Sequence, residues 1–356
     1  MQHPLTSDTA AVRLGEELPY KELELFLRSK LEHLPADILE VQQFPAGHSN
    51  LTYQLKMGKW EAVLRRPPHG PVAPKAHDMQ REYKIISSLH PLFSPAPKPI
   101  LFSNDQSIIG SPFFLMERKR GLVIDGTFPK GIEPTAEINR RISEIMVSKL
   151  VELHAIPFQQ TSLLEITKPE GFMERQVHGW IRRYERVKTD ENPAVVPLAK
   201  WLTANIPKRH EFAVIHYDYK LNNMMFNEDF TSMEGLFDWE MATIGDPLAD
   251  LGVALGYWIG KSDPTIIQNG PGRSVTMLDG FLDRSEFINL YARKSGRDVT
   301  HINFYLAFAF FKLAGICQQI FYRYKLGQTD DPRFASLNEY VNSLMIHGLS
   351  IIEGEL

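Results

Sequence analysis

The stretch His216-Tyr217-Asp218-Tyr219-Lys220-Leu221-Asn222-Asn223 constrains this chain more than any other. Its pattern is His-x-Asp-x-x-x-x-Asn, and a second aspartate, Asp238, stands fifteen residues beyond Asn223 in Phe237-Asp238-Trp239-Glu240. Apolar segments flank the pattern, Phe212-Ala213-Val214-Ile215 before it and Met224-Met225-Phe226 after it, so it reads as a loop between buried elements. By residue frequencies alone the pattern arises in roughly one chain of this length in fifty. The flanking segments, and a short strand from Met233 to Phe237 that delivers Asp238 at its end, make accident a poor account of it.

Phosphoryl transfer is the chemistry that uses these residue types at this spacing. It needs a group to aim an acceptor hydroxyl at a terminal phosphate, and metal ions to neutralise the charge that develops there. Asp218 suits the first task as the base that takes the hydroxyl proton, with His216 beside it in the catalytic set. The loop then turns back, so that Asn223 offers an amide oxygen to Mg2+ and Asp238 a carboxylate. Magnesium prefers hard oxygen ligands and keeps several waters, so two such side chains plus phosphate oxygens suffice.

The part of the chain ahead of this loop reads as a small sheet. Pro19 to His33 has helical spacing, and Ile38 to Phe44, Leu51 to Met57 and Trp60 to Arg66 read as strands. The turn Pro45-Ala46-Gly47-His48-Ser49-Asn50 sits where backbone N–H groups can approach phosphates, with Gly47, Ser49 and Asn50 as the contributing residues. Strand alternation puts Val63 and Arg65 on one face, where a forked cation would reach the alpha and beta phosphates; Arg66 points the other way and is expected in solvent. Asp78 to His90 reads as a helix whose Glu82 could hold Arg65. Pro112 to Arg118 reads as the last strand, apolar from Phe113 to Met116, and a linker at this point, with Met116 and Glu117, could set its backbone against an adenine edge. The boundary falls near residue 120, giving a nucleotide-binding lobe at 1–119 and a catalytic, substrate-binding helical lobe at 120–356.

Helices dominate after that. Pro134 to His154, Gly171 to Lys188, Phe281 to Arg293, His301 to Tyr324 and Pro332 to Ile352 read as helices, and Lys261 to Leu278 as loop. Arg175, Arg182 and Arg186 fall on one side of the second helix, with Arg183 and Lys188 nearby: either a solvated face or a site for an anionic substrate. In Gly245-Asp246-Pro247-Leu248-Ala249-Asp250, Asp246 is a helix cap, and Asp250 lies on a buried face where the catalytic loop backbone can supply its donors.

A net charge of -4 argues against a general nucleic-acid binder. A single cysteine, Cys317, excludes an internal disulfide and suits a cytoplasmic setting. The best membrane-span candidate, Phe304 to Phe321, is interrupted by Lys312, Gln318 and Gln319, so no membrane partner is expected. Oligomeric state is not legible.

Taken together, Gly47 to Tyr53, Val63-Leu64-Arg65-Arg66-Pro67-Pro68, Arg81-Glu82-Tyr83, His216 to Asn223 and Asp238 to Leu251 make the chain resemble the aminoglycoside and choline kinase-like phosphotransferases. Lys75-Ala76-His77-Asp78 and Trp239 to Pro247 narrow the resemblance to the kinase-like domain joined to some acyl-CoA dehydrogenases. The resemblance implies an α+β, two-lobed protein-kinase-like fold: a small N-terminal antiparallel sheet lobe and a larger, mainly helical C-terminal lobe. It implies ATP and Mg2+ as cofactors, and transfer of the gamma-phosphate to a hydroxyl of a small molecule. For the narrower branch it suggests a hydroxyacyl-CoA or related hydroxy acid. An aminoglycoside- or choline-type kinase and a catalytically silent nucleotide-binding protein are the alternatives. A protein kinase is disfavoured, since Asp238 to Asp246 is too short for an activation loop. No flavin fingerprint supports a dehydrogenase.

Overall fold

The computed structural model describes residues 8–45, 50–69, 77–208, 211–271 and 274–354. Two compact units emerge: Met1–Arg120 with Gly235–Glu240, and Gly121–Glu234 with Met241–Leu356. The division read from the sequence is one cut near residue 120. Contacts nevertheless group the Asp238 segment, far along the chain, with the first unit.

The first unit is an antiparallel sheet in the order β1-β2-β3-β5-β4, built from β1 (Glu40–Gln43), β2 (Leu51–Met57), β3 (Trp60–Arg66), β4 (Pro99–Ser103) and β5 (Phe113–Met116). Gly58 turns β2 into β3 at φ +53°, and a Cβ there would lie 2.6 Å from an Asp37 carboxylate oxygen, so the turn calls for glycine. Helices α1 (Tyr20–Lys30) and α3 (Gln106–Ile109) place Leu23, Leu27, Ile108 and Ile109 in one cluster with Tyr53, Leu55 and Leu64. Each such side chain, fully buried, contributes about 1.5–3 kcal/mol. Helix α2 (Met79–Leu89), capped by Asp78 accepting from the Arg81 N–H, packs with β4 and β5. Layers on both faces of β3 overturn one expectation. Arg66 is buried, not solvated, and donates to the Ile109 carbonyl at 3.1 Å.

The second unit is mainly helical: α4 (Ala136–His154), α5 (Phe172–Val187), α6 (Val195–Ala204), α7 (Pro247–Tyr257), α8 (Thr265–Gln268), α9 (Arg284–Ser295), α10 (Ile302–Lys325) and α11 (Leu337–Ile352). Short strands β6 (Leu122–Val123), β7 (Ala213–Ile215), β8 (Met224–Phe226), β9 (Met233–Leu236) and β10 (Thr243–Gly245) frame its loops, β7 pairing antiparallel with β10. Helix α10 packs on α5, α7 and α11. By length and composition it could cross a membrane, contrary to the sequence reading, yet 78% of its apolar window is buried inside the protein. Its polar residues find partners internally: Lys312 donates to the Tyr217 carbonyl at 2.9 Å and Gln318 to the Val187 carbonyl at 2.9 Å. An all-round apolar helix of this kind is what a buried position requires.

The segment read as loop, Lys261 to Leu278, carries α8 and a 3-10 turn in its described part. Asp263 ties it down by accepting from Arg284 (2.7 Å) and from the Gly260 N–H (2.8 Å). Burial pushes the Asp263 carboxyl up, but bonds from His347 and Arg284 outweigh this and hold it at about 2.

Candidate active site

Strand β7 ends at Ile215, and the next two residues are fixed by Asp250, one turn into α7. Its carboxylate is fully buried and accepts from the His216 N–H at 2.7 Å and the Tyr217 N–H at 2.8 Å. His154 of α4 sits 3.2 Å from the same carboxylate and 2.7 Å from the Tyr291 hydroxyl. Burial pushes His154 toward its neutral form, which donates through Nε2 and accepts from tyrosine through Nδ1. Tyr217 then takes a left-handed backbone, φ +65°, which is uncommon for a bulky residue and turns the next side chain out of the strand direction.

That next residue is Asp218, partly exposed. A 3-10 turn over Leu221–Asn223 folds the chain back, and Asn223 Nδ2 donates to both the Asp218 carbonyl and the Asp218 carboxylate, each at 2.9 Å. Lys220 Nζ lies 3.0 Å from the same carboxylate oxygen, and the Tyr257 hydroxyl of α7 also bonds Asp218. A carboxylate held by three donors and open to solvent on one side is equipped to accept a proton at a defined place. His216 is not so placed. It is fully buried, its Nδ1 accepting from the Asp218 N–H at 3.3 Å, so its ring steadies the backbone at Asp218.

The first unit gathers the expected nucleotide residues. Arg65 bonds Glu82 at 3.0 Å, with Glu82 buried on α2, and also bonds Asp238. Asp238 has a left-handed backbone too, φ +67°, two residues after β9. Burial, then the neighbouring Asp238 and Glu240, push Glu82 upward against the pull of Arg65. Asn50 was expected to help hold phosphate, but its amide is engaged at both ends, by His77 at 2.9 Å and Glu240 at 3.3 Å. Gly47 and Ser49 lie outside the described residues. Met116 is buried in β5, and the Glu117 N–H donates to the Lys98 carbonyl at 2.8 Å, so that donor is engaged within the sheet edge.

Replacing Glu82 with alanine should therefore weaken nucleotide binding and cost about 3 kcal/mol of stability, because it strips a buried guanidinium of one partner. Calorimetric titration with ADP alongside urea unfolding checks both; an unchanged pair of values would remove Glu82 from the site.

Among the described residues no three His, Cys, Asp or Glu side chains converge as a metal cage. The donor chemistry nevertheless fits magnesium, which needs few protein ligands. Glu82, Asp238 and Glu240 all act on the single Arg65 guanidinium, an excess of negative charge that a divalent cation relieves. In the second unit, Asn223 turns its N–H groups to Asp218, which leaves its Oδ1 for a cation.

The arginine run on α5 divides. Arg175 bonds the carbonyls of Lys168 and Glu170, and Lys188 pairs with Glu185 at 3.1 Å. Arg182 and Arg186 are exposed, while Arg183 stacks over Trp180 at 4.6 Å. Lys220, Tyr257 and Lys312 were not singled out as site residues from the sequence. Lys220 lay inside the motif and could have been, but Tyr257 and Lys312 reach the loop through α7 and α10, which no local pattern announces.

Comparison with known proteins fits this geometry. A family profile described as the phosphotransferase enzyme family matches residues 40–272. Acyl-CoA dehydrogenase family member 11 of Homo sapiens is 33% identical over 97% of this chain but only 44% of its own length, so the chain spans less than half of that relative. The crystal structure of a candidate aminoglycoside phosphotransferase from Ralstonia eutropha superposes with a TM-score of 0.81 at 28% identity, covering 95% of this chain and 99% of that one. Spectinomycin phosphotransferase, solved with ADP and spectinomycin, shares the fold at 12% identity and a TM-score of 0.56, over 92% of this chain and 97% of its own. The fold is the protein-kinase-like one, a five-stranded antiparallel sheet followed by a mainly helical region. The chain belongs to the phosphotransferase enzyme family.

Proposed function

We propose that the chain transfers the gamma-phosphoryl group of ATP to the hydroxyl of a small molecule, and that a hydroxyacyl-CoA thioester or related hydroxy acid is the acceptor. The observation that carries the reading is the Asp218 carboxylate, held by Asn223, Lys220 and Tyr257 on a loop pinned by Asp250. The ADP of the spectinomycin enzyme supports an adenine nucleotide, and the relatives named for acyl-CoA chemistry support the acceptor class.

In this reading Asp218 takes the acceptor's hydroxyl proton as the acceptor oxygen bonds to the gamma-phosphorus. The bond from that phosphorus to the bridging oxygen breaks, and its electron pair leaves with ADP. Arg65 pairs with the nucleotide phosphates while Glu82 orients it. Asp238 and Asn223 would hold Mg2+, whose charge offsets that of the phosphates. Asp238→Ala should thus weaken nucleotide binding in the presence of magnesium far more than in its absence, read by ADP titration with and without the metal; equal weakening in both would remove Asp238 as a ligand.

The test of function is ATP consumption with magnesium against hydroxyacyl-CoA thioesters, free hydroxy acids, aminoglycosides and choline. Turnover with one class supports a kinase and names its acceptor. Nucleotide binding without turnover on any acceptor overturns the proposal.

A further inference from the structure

Tyr217 stands between the anchor of the loop and its proposed base, and three helices grip it. Asp250 of α7 accepts its N–H at 2.8 Å. On α5, Phe172 makes an edge contact with its ring at 5.4 Å between centroids, and Gln176 accepts from its hydroxyl at 3.3 Å. The third helix is α10, whose Lys312 is 3% exposed. The Lys312 ammonium donates to the Tyr217 carbonyl at 2.9 Å and stands 3.7 Å from the centroid of the same ring. Among the described residues this is the one hydrogen bond of both the carbonyl and the ammonium.

That carbonyl belongs to the peptide unit whose other end is the Asp218 N–H. The N–H end is held loosely, 3.3 Å from His216 Nδ1, so the carbonyl end does more to fix the plane. The plane sets ψ of Tyr217 and φ of Asp218 together, and with them the direction in which the Asp218 side chain leaves the backbone. Tyr217 is in the left-handed region at φ +65°, where a bulky residue stays only when its surroundings hold it. An apolar side chain at residue 312 would be buried with less penalty, but it could not hold a carbonyl.

We infer that Lys312 is a positioning residue for phosphoryl transfer: its ammonium clamps the peptide between Tyr217 and Asp218 so that the Asp218 carboxylate faces the acceptor hydroxyl. The inference rests on the kinase reading above. The groups facing the ammonium are Tyr217, Asp218 and Lys220 of the loop, Asp250 and Tyr257 of α7, and Arg183 of α5. Burial is the largest influence on Lys312 and lowers it, Asp218 and then Asp250 raise it, and it comes to about 8. Burial holds both tyrosines well above their ordinary 10. As pH rises through about 8, Lys312 therefore loses its charge, and with it the attraction to the ring and much of the strength of its hydrogen bond.

The experiment compares the parent with Lys312→Met, which keeps the length of the side chain and cannot donate, using ATP, magnesium and the best acceptor. Lys312→Met should lower kcat by about ten- to a hundredfold, the scale of a small misplacement of a reacting group, while ADP affinity and the acceptor KM change less than about twofold. The kcat of the parent should fall as pH rises through about 8, and that step should be missing from the variant. A variant with parental kcat, a variant that loses turnover and ADP affinity alike, or the same step in both proteins overturns the inference while the kinase survives. If the variant does not fold, the parent decides: a fall in kcat through about pH 8 supports the inference and a level profile overturns it. A parent with no turnover on any acceptor overturns the kinase reading and the inference with it.

Discussion

Replacing Asp218 with alanine is expected to lower phosphoryl transfer by roughly a hundredfold to ten-thousandfold while ADP still binds. The two halves of that result have separate physical causes. Rate falls because the acceptor hydroxyl loses the carboxylate that takes its proton. Binding survives because the charged groups assigned to the nucleotide, Arg65 with Glu82 and Asp238, belong to the other compact unit. The loop itself should hold. Asn223 Nδ2 keeps its 2.9 Å bond to the main-chain carbonyl of residue 218, and the N–H groups of His216 and Tyr217 keep Asp250. Asp218→Asn sharpens the comparison, since it preserves shape and removes only the basicity. Single-turnover kinetics with ATP and the best acceptor would measure the loss, and ADP titration the binding. Turnover equal to the parent in both variants would mean that another group takes the proton.

Much of this arrangement was legible in the sequence, because its parts are local. The span from Asp218 to Asn223 is a single turn of chain, so the residue spacing itself encodes the side-chain meeting seen at 2.9 Å. Asp250 was legible for a related reason: a carboxylate on the buried face of an apolar helix must find donors, and loop N–H groups were the available ones. Strand alternation likewise placed Arg65 toward Glu82. The failures share a cause as well. Arg66 was read as solvated because alternation says which face a residue takes but not whether a helix covers that face; α3 does, and its Ile109 carbonyl receives the guanidinium. Asn50 was assigned to phosphate from its place in a turn, yet its partner Glu240 lies 190 residues away. His216 belongs to the motif and was grouped with the base, but a motif does not record burial. Lys312 was read only as an interruption in an apolar run, since its meeting with Tyr217 depends on how α10 packs.

The second large effect belongs to a residue that touches neither nucleotide nor acceptor. Asp250→Ala should destabilise the protein by about 3–5 kcal/mol, the range for removing one partner from a buried charged network. Three donors would be orphaned together: the N–H groups of His216 and Tyr217, and His154 Nε2. None can turn to water, for Asp250 and His216 are fully buried and His154 nearly so. Against a total stability of roughly 5–15 kcal/mol the loss is severe, and it falls on Tyr217, whose left-handed backbone persists only while its surroundings enforce it. The pH dependence separates this account from simple loss of packing. Burial alone would raise the Asp250 carboxyl above its ordinary 3.8, but the hydrogen bonds from His154 and the loop N–H groups outweigh it and hold it lower. A depressed folded-state pKa means that the carboxylate's stabilisation is complete above 3.8 and fades as pH falls through the lower folded value. Urea unfolding of parent and variant should then give a stability gap that is widest near neutral pH and narrows in acid. A cavity left by a missing side chain would cost the same at either pH, so a gap that stays constant, or one under about 1 kcal/mol at pH 7, would mean that the Asp250 charge is not what holds the Asp218 loop in place.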